Sequence, residues 1–101
     1  MRYADRYPEL YQFFGGYFHQ DWGDSGSFQN VVHDFQVELD ETVRQATREL
    51  EEFLELDLPE EELREILLND LGSYVHAPGL GLTYRQWLEA VLDILKKGAG
   101  S

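Results

Sequence analysis

Leu39-Asp40-Glu41-Thr42-Val43-Arg44-Gln45-Ala46-Thr47-Arg48-Glu49-Leu50-Glu51-Glu52-Phe53-Leu54-Glu55 is the stretch on which the reading of the fold turns. Leu39, Val43, Ala46, Leu50 and Phe53 are spaced 4-3-4-3, which puts them on one stripe of an α-helix. The pattern is too short for a coiled coil, which needs three or more heptads. Glu41, Glu49, Glu51, Glu52 and Glu55 lie between the apolar positions, with Arg44 and Arg48 available for i,i+4 pairing. An amphipathic helix of this kind must bury its stripe against other helices.

The flanks supply them. Upstream, Pro8 suits a first helical position, and Tyr7, Leu10, Tyr11 and Phe14 form the stripe of that helix. Gly15-Gly16 weakens it, and Tyr17-Phe18 either continues it or turns. Residues 20–27 carry Asp, Gly and Ser, which favour turns. Ser27 can then cap a helix lined by Phe28, Val31, Val32 and Phe35, with a break between Val37 and Asp40.

Downstream, the chain restarts at Asp57-Leu58-Pro59, with Asp57 or Leu58 at the cap and Glu60–Glu62 in the first turn, where acids complement the helix dipole. Leu63, Ile66, Leu67 and Leu71 make its stripe and Gly72 stops it. A loop over 72–82 turns at Pro78-Gly79. Thr83 and Gln86 have capping-box spacing before a last helix bearing Tyr84, Trp87, Leu88, Val91, Leu92 and Leu95. Lys96-Lys97 sits at its negative pole, and residues 98–101 are expected to form a flexible tail. Alternation with period two is nowhere sustained. The expected architecture is all-α, a compact single-domain bundle of about five helices over residues 1–97.

At 101 residues the chain has room for one small core. Its unusual quantity is charge, 20 acids against 8 bases for a net of −12. The charge is concentrated: residues 34–65 hold thirteen acids and three arginines, whereas residues 66–101 hold three of each. This excludes phosphate-backbone binding as the default function, because nucleic-acid binders neutralise phosphates with Lys and Arg. It equally disfavours an anionic membrane surface. A solvated face that keeps the protein soluble accounts for such a block, and so does a surface that attracts a basic partner.

The chain contains no cysteine, so disulfides, thiolate metal sites and cysteine nucleophiles are excluded together. No apolar run resembles a signal peptide or a spanning helix, and a soluble, cytoplasmic protein is expected. The candidate acid–base groups are His19, His33 and His76, with Asp21, Asp24 and Asp34 near the first two. His33 and Asp34 are adjacent, so on a helix they diverge by about 100° and form no dyad. Nucleophile-elbow, phosphate-loop, zinc-protease, EF-hand and dinucleotide motifs are absent. The sequence points to no enzyme, no cofactor and no metal. Tyr17-Phe18-His19-Gln20-Asp21-Trp22 is the densest aromatic and hydrogen-bonding cluster. It reads as a structural corner through Tyr17, His19 and Asp21, or as an exposed anchor through Trp22. The same two readings apply to Tyr74, whereas Trp87 falls on a core stripe.

Two blocks bring a resemblance. Tyr7-Pro8-Glu9-Leu10 and Phe13-Phe14-Gly15-Gly16-Tyr17-Phe18-His19-Gln20-Asp21-Trp22 resemble the N-terminal signature of contact-dependent growth inhibition immunity proteins, the CdiI family. Leu71-Gly72-Ser73-Tyr74, then Pro78, Gly79 and Gly81-Leu82-Thr83-Tyr84-Arg85-Gln86-Trp87-Leu88, are similar to the family's second block. Residues 36–65 match only in being helical and acidic, and the loop Val75–Leu80 is less polar than the family's usual one. The resemblance implies a cytoplasmic protein that binds and neutralises a cognate toxin domain. Such toxins are frequently nucleases with a basic groove. The charge map then nominates Glu38, Glu41, Glu49, Glu51, Glu52 and Glu55 as partner-binding residues, with Trp22 and Tyr74 as aromatic anchors. The free protein is expected to be a monomer. An acidic helical adaptor with no toxin partner is the alternative.

Overall fold

The computed structural model describes residues 3–18, 27–38 and 40–99, with side chains described as far as Lys97. Its elements are α1 (Tyr3–Arg6), α2 (Pro8–Tyr17), α3 (Phe28–Phe35), α4 (Asp40–Glu55), α5 (Glu60–Glu65), a π-helical turn (Ile66–Asp70), a 3-10 turn (Ala77–Leu80) and α6 (Tyr84–Ala99). Among the described residues there is no strand. The five expected helices are all present. The addition is α1, a single turn too short to show a period. It is held by the Tyr3 N–H donating to Asp70 Oδ2 at 3.3 Å and by Tyr7 N–H donating to Tyr3 O at 2.8 Å.

The 4-3-4-3 stripe does what its spacing requires. Val43, Ala46, Leu50 and Phe53 are buried, and α4 packs against both α6 and α2; Leu39 lies outside the described residues. Pro8 opens α2 at its first position, and the helix runs through Gly15-Gly16 to Tyr17. The Ser27 side chain caps α3 by accepting from Asn30 N at 3.3 Å. The core between α2, α3 and α6 is aromatic. Trp87 is fully buried and meets Phe18 edge-on at 5.0 Å between ring centroids, with Phe14 at 5.7 Å. Phe13 lies 4.2 Å from Phe35.

Two helix starts are completed by carboxylates from other elements. Tyr7, at the N-cap of α2, provides no side-chain cap. Glu49 of α4 supplies one: its Oε1 accepts from Glu9 N at 2.9 Å and from Leu10 N at 3.1 Å. Its Oε2 accepts from Gln45 Nε2 at 3.0 Å. At the start of α6, Thr83 and Gln86 form the expected capping box, with Thr83 N–H donating to Gln86 Oε1 and Gln86 N–H donating to Thr83 Oγ1, each at 3.0 Å. Glu60 takes the two N–H groups between them, Tyr84 N at 2.9 Å and Arg85 N at 2.8 Å. A carboxylate is doubly suited to this place, as acceptor for orphan donors and as an anion at the positive end of the dipole.

Three local expectations change. Asp57 does not cap α5; it adopts a positive φ of 51° after α4, a conformation that Asp tolerates better than most residues. Pro59 stands at the N-cap of α5 instead. The helix expected to run on to Gly72 widens at Ile66–Asp70, where Leu71 N–H reaches Ile66 O at 2.9 Å, a span of five residues. Leu67 and Leu71 stay buried through this turn, while Asp70 remains available to Tyr3. Finally, α6 continues to Ala99, so residues 98 and 99 extend the helix past the expected start of the tail.

The segment between α3 and α4 is fastened to α2 by Tyr17, whose hydroxyl donates to Glu38 Oε1. That bond, followed by burial and the negative charges of Glu38 and Asp34, raises the Tyr17 pKa from its ordinary 10.0 to about 12. The neutral phenol is therefore the form the fold holds. Its contribution to stability is complete below pH 10 and disappears as pH rises toward 12. A spectrophotometric titration is expected to show one tyrosine ionising near pH 12, and Glu38→Gln should bring it downward. Glu49→Ala strands two backbone N–H groups at the start of α2 and should lower stability by about 2 kcal/mol in urea denaturation, with Glu49→Gln losing less because its amide oxygen still accepts. Tyr7 is fully buried and its hydroxyl has no partner among the described residues. Tyr7→Phe should accordingly hold or raise stability, by up to about 1 kcal/mol.

Candidate partner-binding surface

The exposed side of α4 follows from its wheel. At about 100° per residue, Glu41, Arg44, Arg48, Glu51, Glu52 and Glu55 fall within roughly 100° of arc opposite the buried stripe. Glu41, Arg44, Arg48, Glu52 and Glu55 are exposed, and Glu51 is half-buried. Glu41, Glu52 and Glu55 form no hydrogen bond or ion pair among the described residues. Glu51 is engaged by Lys96 of α6 at 3.1 Å, and Glu38 by the Tyr17 hydroxyl.

Glu49 is a correction. It was nominated for a partner, yet it is only 3% exposed and its two oxygens are committed to α2 and Gln45. The wheel carried the signal: Glu49 falls within about 40° of Phe53, on the flank of the apolar stripe. The middle third spends further acids internally. Asp57 pairs with Arg85 at 2.9 Å, Glu60 caps α6, and Glu65 accepts from Asn69 Nδ2 at 2.8 Å. Lys97 pairs with Asp93 at 3.0 Å, so each of the three cations in residues 66–101 has an acidic partner. Arg44 and Arg48, available for i,i+4 pairing by their spacing, have none among the described residues.

Tyr74 is 60% exposed and its N–H donates to Phe18 O at 2.9 Å, so backbone pairing fixes its place while its ring faces out. Tyr17 is half-buried beside Phe35, with ring centroids 5.3 Å apart. Trp22, His19 and Asp21 lie outside the described residues. Tyr11, assigned to a buried stripe from its spacing, is 47% exposed instead; it lies one position past Leu10 on the shoulder of α2. The remaining histidines do not assemble a site. His33 Nδ1 meets Gln36 Oε1 at 3.0 Å, Gln36 Nε2 donates onward to Ile94 O at 3.0 Å, and His76 is the N-cap residue of the 3-10 turn. Among the described residues no three His, Asp or Glu side chains are grouped to hold a metal, and no helix is long and apolar enough to cross a membrane.

The arrangement is therefore a charged helix face without converging chemistry, and an exposed tyrosine on a separate segment. Comparison with known proteins gives this a context. The chain is similar, over 95% of its length and 99% of the other's, to a chain in the crystal structure of the CdiA-CT/CdiI complex from Y. kristensenii 33638, with 28% sequence identity and a TM-score of 0.86. No curated protein matches it. Residues 6–95 match the family model described as CdiI immunity protein. With that match running from α1 to the last buried leucine of α6, the chain belongs to the CdiI immunity protein family.

Proposed function

We propose that this protein binds the C-terminal toxin domain of a cognate contact-dependent growth inhibition effector in the cytoplasm and neutralises it as a stoichiometric inhibitor. The observation that carries this reading is the likeness to a chain from a CdiA-CT/CdiI complex across nearly the whole length of both, joined to the family membership. The protein acts by occupation. A monomer presents Glu41, Glu52 and Glu55 of α4, supplemented by Glu38 and Glu51 and by Tyr74, to a basic face of the toxin. A nuclease fits that description, since its substrate groove must be basic. Carboxylates on a rigid helix would stand where phosphates otherwise bind.

A standard interface covers about 800 Å² per partner, which one helix face and a loop of a small bundle can provide. The exposed acids act mainly on encounter, because long-range attraction raises association rates and is screened by salt. Binding to the cognate toxin domain is expected to show an association rate that falls several-fold between low and physiological salt, with a smaller change in dissociation. A rate indifferent to salt would rule out acidic steering. Glu41→Lys, Glu52→Lys and Glu55→Lys together should slow association at least tenfold while circular dichroism stays helical, because none of the three makes a hydrogen bond or ion pair among the described residues and losing the Glu41 charge from the first turn of α4 costs about 1 kcal/mol or less. Protection of cells that express the toxin domain supplies the functional readout, and an adaptor with no toxin partner would give none.

A further inference from the structure

We infer that Arg44 and Arg48 are specificity determinants of the α4 surface, poised to receive carboxylates presented by the cognate toxin domain. This rests on the proposed function above and adds a feature that acidic steering does not contain. The two guanidiniums sit about 40° apart on the wheel and one turn apart along the axis, in the middle of the exposed arc. Glu41 stands before them and Glu51, Glu52 and Glu55 after, so the face reads acid, base, base, acid, acid, acid along the helix. A surface that only imitated phosphates would have no use for two cations at its centre, since they would repel a uniformly basic groove.

Their pairing state separates them from the other cations among the described residues. Arg85, Lys96, Lys97 and Arg64 each lie within 3.5 Å of an acidic oxygen, and Arg6 stacks over the Tyr7 ring at 5.4 Å. Arg44 and Arg48 do neither among the described residues, despite Asp40 four positions before Arg44 and Glu52 four positions after Arg48. An exposed i,i+4 pair is a weak competitor, worth a few tenths of a kcal/mol. A partner carboxylate held in a desolvated contact can take the guanidinium in a bidentate fork. The toxin face that fits α4 therefore carries acidic groups flanked by basic ones. A toxin with bare positive charge opposite Arg44 and Arg48 is rejected by like-charge contact.

The test exploits opposite signs. The double variant Arg44→Glu, Arg48→Glu makes the chain more acidic, so steering alone predicts faster and tighter binding of the cognate toxin domain. The proposal predicts at least a tenfold weaker complex, carried by faster dissociation, with Arg44→Gln, Arg48→Gln intermediate and Arg44→Lys, Arg48→Lys only partly restoring affinity. Circular dichroism and thermal melting should match wild type, as both side chains are exposed. Unchanged or tighter binding by the Glu and Gln variants overturns the inference. The Glu41, Glu52 and Glu55 reversal run alongside separates the two readings. If it weakens binding while the arginine variants do not, only the inference falls. If neither set moves affinity, α4 is not the interface; if wild type forms no complex, both fall.

Discussion

The carboxylate of Glu49 beneath the first turn of α2 is the contact on which the rest of the packing depends. α2 has ten residues, fewer than an isolated helix needs for stability in water. It also carries Gly15 and Gly16, each costing about 1 kcal/mol relative to alanine within a helix. It has no side-chain cap of its own. Yet α2 brings Leu10, Phe13 and Phe14 into the core, and Phe13 and Phe14 anchor the aromatic cluster that receives Phe35 and Trp87. Glu49 resolves the conflict by satisfying Glu9 N and Leu10 N with one oxygen. The register of α4 against α2 is thereby set by hydrogen bonds as well as by apolar fit.

Glu60 repeats the device at the other end of the chain. Together with the Thr83–Gln86 box it satisfies four consecutive N–H groups at the start of α6, while the Arg85 side chain donates to Asp57. Two acids of the strongly negative segment, Glu49 and Glu60, thus tie sequence-distant helices, and a third, Asp57, pairs the α4–α5 link with α6. The charge concentrated in residues 34–65 is in part the means by which the fold closes, and its self-repulsion is relieved where helix dipoles and cations receive it.

What the sequence made legible follows from the range of the forces involved. Stripes, turns and the capping box are local, and the 3-4-3 spacing of Val43, Ala46, Leu50 and Phe53, the Ser27 cap and the Thr83–Gln86 pair all appear as read. Glu49 and Glu60 satisfy donors 40 and 24 residues away, and no window along the chain contains both ends of such a bond. Tyr11 was misread because the wheel orders residues by angle, and nothing local says where the apolar arc of α2 ends. The widened turn at Ile66–Asp70 has the composition of an ordinary helix; only the reach of Leu71 N–H to Ile66 O distinguishes it. The family resemblance was carried by the two end blocks, where aromatic order is dense. The acidic middle carries less of it, as expected of a surface on which composition matters to solubility and individual positions matter to a partner.

An immunity protein faces two demands that one kind of charge cannot meet. Speed calls for a field reaching beyond contact, and at physiological salt that field decays over about 8 Å. Within that distance any sufficiently basic partner is attracted, so the field supplies rate without choice. Choice requires groups whose energy depends on what stands directly opposite, and a pair of unpaired guanidiniums within an acidic face has that property, attractive toward a placed carboxylate and repulsive toward a lysine. On α4 the proposed steering acids and the proposed selective arginines share a single arc. They can act in sequence on one approach, the acids drawing the partner in and the arginines deciding whether it stays.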